Sequence, residues 1–155
     1  MSTLDSITFQ EKFSVLSLNC RGLSNVTKRH SIKNSCKKSD VLLLQETHGT
    51  KQTNRAWTNS LNRKESIFSQ YSSAARGAAV LFNHNVNPKI IKTLTDNNGR
   101  IAACVCEISA GIMGFISVYA PNVSNSSVTQ NDYVTFLYDL ENILMEIKNL
   151  SLIHI

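Results

Sequence analysis

Two polar side chains directly follow apolar segments in the first third of the chain. Asn19 follows the run 13–18, and Glu46 follows the run 41–45. If both runs are neighbouring strands of an open α/β sheet, their carboxyl ends border the crevice in which such sheets bind ligands. A carboxylate and an amide there can hold a divalent cation or its water, and a phosphate can join the same ion. The competing interpretation is structural, with Glu46 ending a strand and Asn19 forming a turn.

The spacing of apolar residues predicts the elements that would position these side chains. Helices are expected over 26–38, 53–64 and 128–149, and strands over 13–19, 41–45, 66–71, 77–82, 89–94, 101–108 and 113–119. Ser24 or Asn25 is the predicted cap of the first helix, and Asp-Asn-Asn-Gly at 96–99 is typical of a hairpin turn. Strands interspersed with helices, followed by a run of hairpins, indicate an α/β (α+β) layered domain and not an all-β barrel.

Composition limits the class of protein. The chain has 155 residues, 42% hydrophobic and 17% charged, which suits one domain with a substantial core. The net charge of +5 favours a polyanionic partner, although many soluble proteins are mildly basic. Cys104 and Cys106 are expected to be small buried residues on one strand face and not zinc ligands.

Targeting signals are absent from the sequence as it stands. The first ten residues lack the apolar segment of a secretory signal, and no apolar run approaches the about 20 residues that span a bilayer. We therefore expect an intracellular protein, in the nucleus, the cytoplasm or both, that is not secreted and has no membrane partner.

Three short motifs occur in order along the chain: LNCRGL at 18–23, LQETH at 44–48 and VYAPN at 118–122. Together they resemble the first motifs of the endonuclease/exonuclease/phosphatase superfamily. Within it they are most similar to the apurinic-endonuclease-like endonuclease domains of non-LTR (LINE) retrotransposons, which are related to exonuclease III. Residues 76–81 and 98–100 resemble the same branch. The resemblance implies the N-terminal part of a four-layered α/β/β/α sandwich of the DNase I-like fold.

The resemblance also implies roles for individual residues. Glu46 would be the carboxylate ligand of Mg²⁺, with Mn²⁺ as an alternative, and Asn19 would orient metal-bound water or the scissile phosphate as part of the same metal site. Tyr119 would reach the phosphate with its phenol. Asn122 would hydrogen-bond nearby, after a turn set by Pro121. The structural alternatives are an interfacial core aromatic for Tyr119 and a simple turn residue for Asn122.

One position departs from the family pattern. Several repair members carry an acidic residue two positions after the asparagine, where this chain has Arg21. A cation there weakens the case for a second metal ligand but suits phosphate binding. His48 and Arg76 are further candidates for DNA contacts, and an ordinary place on the solvated surface explains these two residues nearly as well.

The later motifs of the family do not occur in this sequence, so we expect it to be truncated. The expected organisation is an N-terminal tail over 1–12, the N-terminal part of the endonuclease/exonuclease/phosphatase domain over 13–149, and a truncated end over 150–155. That end resembles a buried strand, and it also matches one reading frame of a transposon end used in sequencing libraries, which suggests foreign sequence. With an uncovered sheet face, we expect a poorly soluble fragment without measurable nicking activity.

The leading functional hypothesis is a Mg²⁺-dependent phosphodiesterase acting on DNA, of the retrotransposon target-site nicking or abasic-site type. No small-molecule cofactor is expected, and a reverse transcriptase domain is a candidate partner within a longer polyprotein. The alternatives are an inactive retrotransposon relic with residual DNA binding, and a phosphatase or deadenylase of the same fold.

Overall fold

The protein is described from a computed structural model that covers residues 12–122 and 127–152. The expected N-terminal tail therefore lies outside the described residues, except for Lys12. The helices are α1 (Val26–Ser35), α2 (Asn54–Ser60) and α3 (Ser127–Leu152), with a single 3-10 turn at Lys51–Thr53. The strands are β1 (Val15–Asn19), β2 (Val41–Gln45), β3 (Glu65–Ser69), β4 (Ala78–Phe82), β5 (Lys89–Thr95), β6 (Ile101–Ile108) and β7 (Gly111–Val118).

The strands form two sheets that stack face to face. The first sheet has the order β1-β2-β4-β3, with β1 and β2 parallel and the other neighbours antiparallel. The second sheet is an antiparallel meander in the order β5-β6-β7. Helices α1 and α2 cover the outer face of the first sheet, and α3 covers the outer face of the second. The predicted fold class is confirmed: the layers are α, β, β and α.

The continuous apolar run of β2 reflects burial on both faces of the first sheet. Leu42 and Leu44 face α1 and α2, where they pack with buried residues such as Trp57. Val41 faces the opposite way, into the core between the two sheets. A strand with an alternating apolar and polar pattern could not fill both cores, which explains why β2 has no polar residue before its last position.

The inter-sheet core confirms that the two cysteines of β6 are buried and share one strand face. Cys104 and Cys106 are both fully buried, two residues apart on the strand face that meets Val80 and Phe82 of the first sheet. They are free thiols. Small side chains at these positions allow the sheets to approach, while Phe115 fills the remaining space edge-on against Phe82 at 5.3 Å.

Each predicted helix is present, but the ends differ from the prediction. Asn25, one of the two predicted caps, accepts a hydrogen bond from the backbone N–H of Lys28 at 3.0 Å. Helix α1 ends at Ser35, three residues early, because the Arg63 guanidinium donates hydrogen bonds to the carbonyls of Cys36 and Ser39 and holds the chain in a turn.

The prediction of a new strand from residue 150 is wrong for the part that the structure describes. Residues 150–152 continue α3, and 153–155 lie outside the described residues. The physical reason is helical spacing: Ile143 and Ile147 pack on the face that meets the second sheet, and the half-buried Leu150 follows Ile147 at the helical interval of three residues. The apolar spacing of the same helix predicts one buried stripe of Phe136, Leu140, Ile143, Leu144 and Ile147, but Leu144 is 47% exposed.

Helices cover the outer faces of both sheets in the described residues, so the expected uncovered face is not an outer one. On the inner side, Val15 of β1 pairs in register with the inward-facing Val41 and is exposed. What is exposed is an edge: Val15 and Leu16 of β1 are 48% and 38% exposed. Poor solubility stays a prediction, now based on this edge. Over the same described ranges, none of the helices combines the length and the apolar character that crossing a membrane requires.

Candidate active site

The candidate residues lie at one end of the sandwich, where strands of both sheets finish. Strands β1 and β2 are parallel, and their register pairs Asn19 with Gln45. Glu46 is the next residue along β2 and therefore emerges beside Asn19. Strand β7 of the second sheet finishes at Val118 at the same end, so that Tyr119 follows it directly.

A buried polar link between the sheets sets the position of the end of β7. Ser117, which is 1% exposed, donates a hydrogen bond to the carbonyl of Leu44 at 2.8 Å. The side-chain amide of Gln45 donates to the Ser117 hydroxyl at 3.0 Å. Buried polar groups need such partners, so β7 is held in one register against the end of β2.

Glu46 and Asn19 are in direct contact. The Asn19 amide donates from Nδ2 to Glu46 Oε1 at 2.9 Å, while its own Oδ1 accepts the backbone N–H of Arg21 at 3.1 Å. The backbones are joined as well, since Gly22 N donates to the Glu46 carbonyl at 2.6 Å. Because both ends of the amide are engaged within the protein, Asn19 in this arrangement orients the carboxylate.

The backbone that carries these side chains is strained. Arg21, Glu46 and His48 have φ angles of 47°, 55° and 53°, in the left-handed region that residues other than glycine seldom adopt. The loop after Glu46 is held there because the N–H groups of Thr47 and His48 donate to the carbonyls of Gly77 and Arg76, at 3.1 and 2.9 Å. Such strain, imposed by surrounding hydrogen bonds, is frequent at functional sites.

The surroundings of Glu46 favour its charged form. The hydrogen bond from Asn19 is the main cause that lowers the pKa of Glu46 below its ordinary value, and the Tyr119 phenol, His48 and Arg21 lower it further against partial desolvation. His48 Nε2 lies 3.8 Å from Glu46 Oε2. Partial burial and the neighbouring Glu46 charge raise the pKa of Tyr119. The phenol thus remains a hydrogen-bond donor to a carboxylate that stays ionised.

Two arginines and one aspartate border this cluster, and sequence reasoning missed the aspartate. Arg100 donates to Asp132 Oδ2 at 2.6 Å and to the Tyr119 carbonyl at 3.3 Å. Arg76 approaches the same Asp132 oxygen at 3.5 Å. The sequence offered a signal that Arg100 belongs near the site, since residues 98–100 carry part of the family resemblance. Asp132 had none, because one carboxylate near the start of a helix is unremarkable in a sequence.

The structure brings together three of the four residues predicted to be catalytic: Asn19, Glu46 and Tyr119. The three tentative DNA contacts, Arg21, His48 and Arg76, lie in the loops around this cluster. The fourth residue, Asn122, is exposed at the end of the first described range, immediately before the segment 123–126 that lies outside it.

The donor chemistry at Glu46 fits a hard divalent cation that keeps most of its water. Mg²⁺ is commonly bound by one or two carboxylates together with waters and a substrate phosphate. Within 12–122 and 127–152, no three His, Cys, Asp or Glu side chains gather into a metal cage. Glu46 is oriented, partly exposed and ionised, which suits the one-carboxylate mode of binding.

Solved structures with the same layered arrangement match this chain over most of its length. An AP endonuclease from Archaeoglobus fulgidus is 18% identical with a TM-score of 0.64, covering 87% of this chain and 52% of its own. The 3′ phosphatase NExo from Neisseria, bound to a product DNA hairpin, is 16% identical with a TM-score of 0.64 and coverages of 92% and 54%. The endonuclease domain of TRAS1, a telomere-specific non-LTR retrotransposon, is 13% identical with a TM-score of 0.55 and coverages of 84% and 53%.

The α/β/β/α sandwich of this chain is therefore the fold of DNase I-like nucleases and phosphatases, and the chain spans about half the length of these solved structures. The model of the Endonuclease/Exonuclease/phosphatase family matches residues 16–148. The chain belongs to this family, as the three sequence motifs indicated. No curated protein matches it significantly by sequence.

Proposed function

We propose that this chain supplies part of the active site of a divalent-metal-dependent phosphodiesterase that acts on DNA. The observation that carries the proposal is Glu46: a carboxylate at the end of β2, oriented by the Asn19 amide at 2.9 Å and by the Tyr119 phenol. Groups from two other strand ends, the Asn19 amide and the Tyr119 phenol, converge on the ionised Glu46 carboxylate. Oriented carboxylates of this kind are what a Mg²⁺ site at a scissile phosphate requires.

Each residue has a distinct proposed role. Glu46 would hold Mg²⁺, or Mn²⁺ as an alternative, and the bound cation would supply a Lewis acid that neutralises charge on the phosphate. Asn19 keeps the carboxylate in place, as hydrogen bonds to metal-ligating side chains commonly do. With a phosphate bound, Tyr119 would donate its single phenol O–H to a phosphate oxygen in place of Glu46, and Asn122 would add a hydrogen bond beyond the turn at Pro121.

Charge supports DNA as the substrate over a neutral ester. The chain has a net charge of +5, and three cationic or ionisable side chains, Arg21, His48 and Arg76, surround the acidic centre. Such groups gain free energy by displacing counterions from a phosphate backbone. Similarity to the TRAS1 endonuclease domain favours nicking of retrotransposon target sites, and similarity to the AP endonuclease from Archaeoglobus fulgidus favours cleavage at abasic sites. A reverse transcriptase domain in the same polyprotein would suit the first of these.

The isolated chain is proposed to lack measurable nicking activity, because it spans only about half the length of the solved structures that it matches, and a water nucleophile needs a positioned base besides the metal ligand. The chain should nevertheless bind the cation. Mg²⁺-dependent nicking of supercoiled plasmid that Glu46→Gln abolishes would overturn the proposed inactivity and would strengthen the nuclease assignment.

The decisive experiment uses Mn²⁺ as a paramagnetic probe on the intact chain, followed by ¹⁵N NMR. We expect Mn²⁺ to broaden the amide resonances around Asn19, Glu46 and Tyr119 first, and an excess of Mg²⁺ to reverse the broadening. Glu46→Gln should remove the effect. Asn19→Ala should weaken Mn²⁺ binding by about 10–100-fold, the usual loss when a residue that orients a metal ligand is removed.

The matched control is Glu107→Gln, which removes an exposed carboxylate of β6 that pairs with Lys89 at 3.4 Å, away from the site. This variant should bind Mn²⁺ like the unaltered chain. Broadening that is unselective, or that is the same in Glu46→Gln and Glu107→Gln, would refute the metal role of Glu46 and with it the proposed function.

A further inference from the structure

Two arginines from different parts of the chain converge on one carboxylate of helix α3. Arg100, just before β6, donates from Nη2 to Asp132 Oδ2 at 2.6 Å. Arg76, in the loop before β4, reaches the same oxygen at 3.5 Å. The Arg76 guanidinium also lies 4.4 Å above the ring of Tyr71 and donates to the Asn98 carbonyl. Asp132 thus connects α3 to two loops at the end of the sandwich that carries Glu46.

Arg100 is joined to Tyr119 in three ways. The Tyr119 N–H donates to the Arg100 carbonyl at 2.8 Å, and Arg100 Nη1 donates to the Tyr119 carbonyl at 3.3 Å. The guanidinium carbon also lies 5.5 Å from the centre of the Tyr119 ring. The Arg100 side chain therefore contacts both the backbone carbonyl and the ring of Tyr119.

The position of Arg100 depends on its counter-charge. Its side chain is 8% exposed, and its buried Nε has no hydrogen-bond partner among the described residues. A buried guanidinium that loses its carboxylate is an uncompensated charge, which is far less favourable than the paired state. Without Asp132, Arg100 has to move towards water, and the Tyr119 backbone and ring must follow it or lose these contacts.

We propose that Asp132 is a positioning residue that acts through Arg100 to fix the Tyr119 phenol against Glu46. It does not touch Glu46 or the expected position of a phosphate. Its contribution to catalysis rests on the proposed function, but its effect on the position of Tyr119 does not. Arg76 shares Asp132 at a longer distance and at 24% exposure, so its loss should affect Tyr119 less.

The test places 3-fluorotyrosine throughout the chain and follows the ¹⁹F resonance of Tyr119, which Tyr119→Phe identifies. Asp132→Asn keeps the shape of the side chain and removes its charge. We expect the Tyr119 resonance to shift by more than its linewidth or to split, while the resonance of the exposed Tyr138 stays in place. Circular dichroism and the urea midpoint establish that the variant is folded.

The control is Glu146→Gln, which breaks another ion pair of α3 with the second sheet, between Glu146 and Lys92, away from Tyr119. It should leave the Tyr119 resonance unchanged. If Asp132→Asn fails to fold, Asp132→Glu keeps the charge on a longer side chain and should give a folded chain with a displaced Tyr119 resonance.

Two outcomes separate this inference from the proposed function. If the Tyr119 resonance is the same in a folded Asp132 variant and in Glu146→Gln, the positioning role is refuted, whatever Mn²⁺ does at Glu46. If the Asp132 variant displaces Tyr119 while Mn²⁺ shows no preference for Glu46, the positioning role stands and the proposed function fails.

Discussion

Replacing Gly77 by alanine should damage the candidate site from a distance, and the size of the effect follows from the structure. Gly77 has a φ of +102°, and a Cβ there would lie 2.1 Å from the Thr47 hydroxyl and 2.7 Å from Gln70 Oε1. These two atoms form a hydrogen bond of 2.7 Å, and Thr47 is fully buried. The added methyl group must break that bond or displace the loop that follows Glu46.

The expected loss of folding free energy in Gly77→Ala has two parts. A non-glycine residue at such a φ costs about 1–3 kcal/mol. Breaking the hydrogen bond of the buried Thr47 hydroxyl leaves it unsatisfied, which costs about 1–3 kcal/mol more. We therefore expect Gly77→Ala to lower the free energy of unfolding by about 2–6 kcal/mol, a large part of the about 5–15 kcal/mol that a domain usually has.

Gly111→Ala is a control that isolates the cost of the clash at Thr47 from the cost of the backbone conformation. Gly111 has a similar φ of +114°, but a Cβ there would meet no atom within 4 Å. Both substitutions share the cost of a non-glycine residue at positive φ. The difference between their free energies of unfolding therefore measures the clash at Thr47. At a urea m-value of about 2 kcal/mol/M, the clash should separate their midpoints by about 0.5–1.5 M.

Urea denaturation followed by circular dichroism gives the two midpoints, and Mn²⁺ broadening reports on the site. Gly77→Ala should weaken Mn²⁺ binding because Thr47 N donates to the Gly77 carbonyl in the loop that carries Glu46. Gly111→Ala should bind normally. Equal midpoints for the two variants would show that the loop absorbs the methyl group freely, and the link from Gly77 to the site would then be wrong.

Three further predictions concern single groups. Lowering the pH through the folded-state pKa of Glu46 should break the hydrogen bond from Asn19. Because the pKa of Glu46 is lowered in the folded state, the stabilisation from this bond is present above the ordinary carboxyl pKa and is lost as the pH falls. The ¹⁵N shift of the Asn19 side-chain amide will follow this loss, and Glu46→Gln will abolish the pH dependence. Asn25→Ala should lower the free energy of unfolding by about 0.5–2 kcal/mol in urea by removing the cap of α1, without changing Mn²⁺ binding. Burial raises the pKa of the Cys20 thiol to about 11, so iodoacetamide at mildly alkaline pH should alkylate Cys20 only after the chain unfolds. Rapid alkylation of the native chain, detected by mass spectrometry, would contradict this prediction.

The contact between Asn19 and Glu46 could be predicted because it is almost local. Two apolar runs separated by one helix form parallel neighbouring strands, and the residues just past their ends must meet. Tyr119 is different, since 73 positions separate it from Glu46 and it belongs to the other sheet. Its place was expected only from the family resemblance, and it depends on how β7 packs on β2 through Ser117.

The sequence by itself determined the order of the elements, the burial of β2 on both faces and the residue types at the strand ends, because hydrophobic spacing encodes which faces are covered. The tertiary structure decided which distant side chains share a charge or a hydrogen bond. Arg100 and Tyr119 lie at the adjoining ends of β6 and β7, and Asp132 meets Arg100 because α3 packs on that sheet in one relative position. No local pattern specifies that position, since it results from the fit of whole surfaces and not from the spacing of residues along the chain.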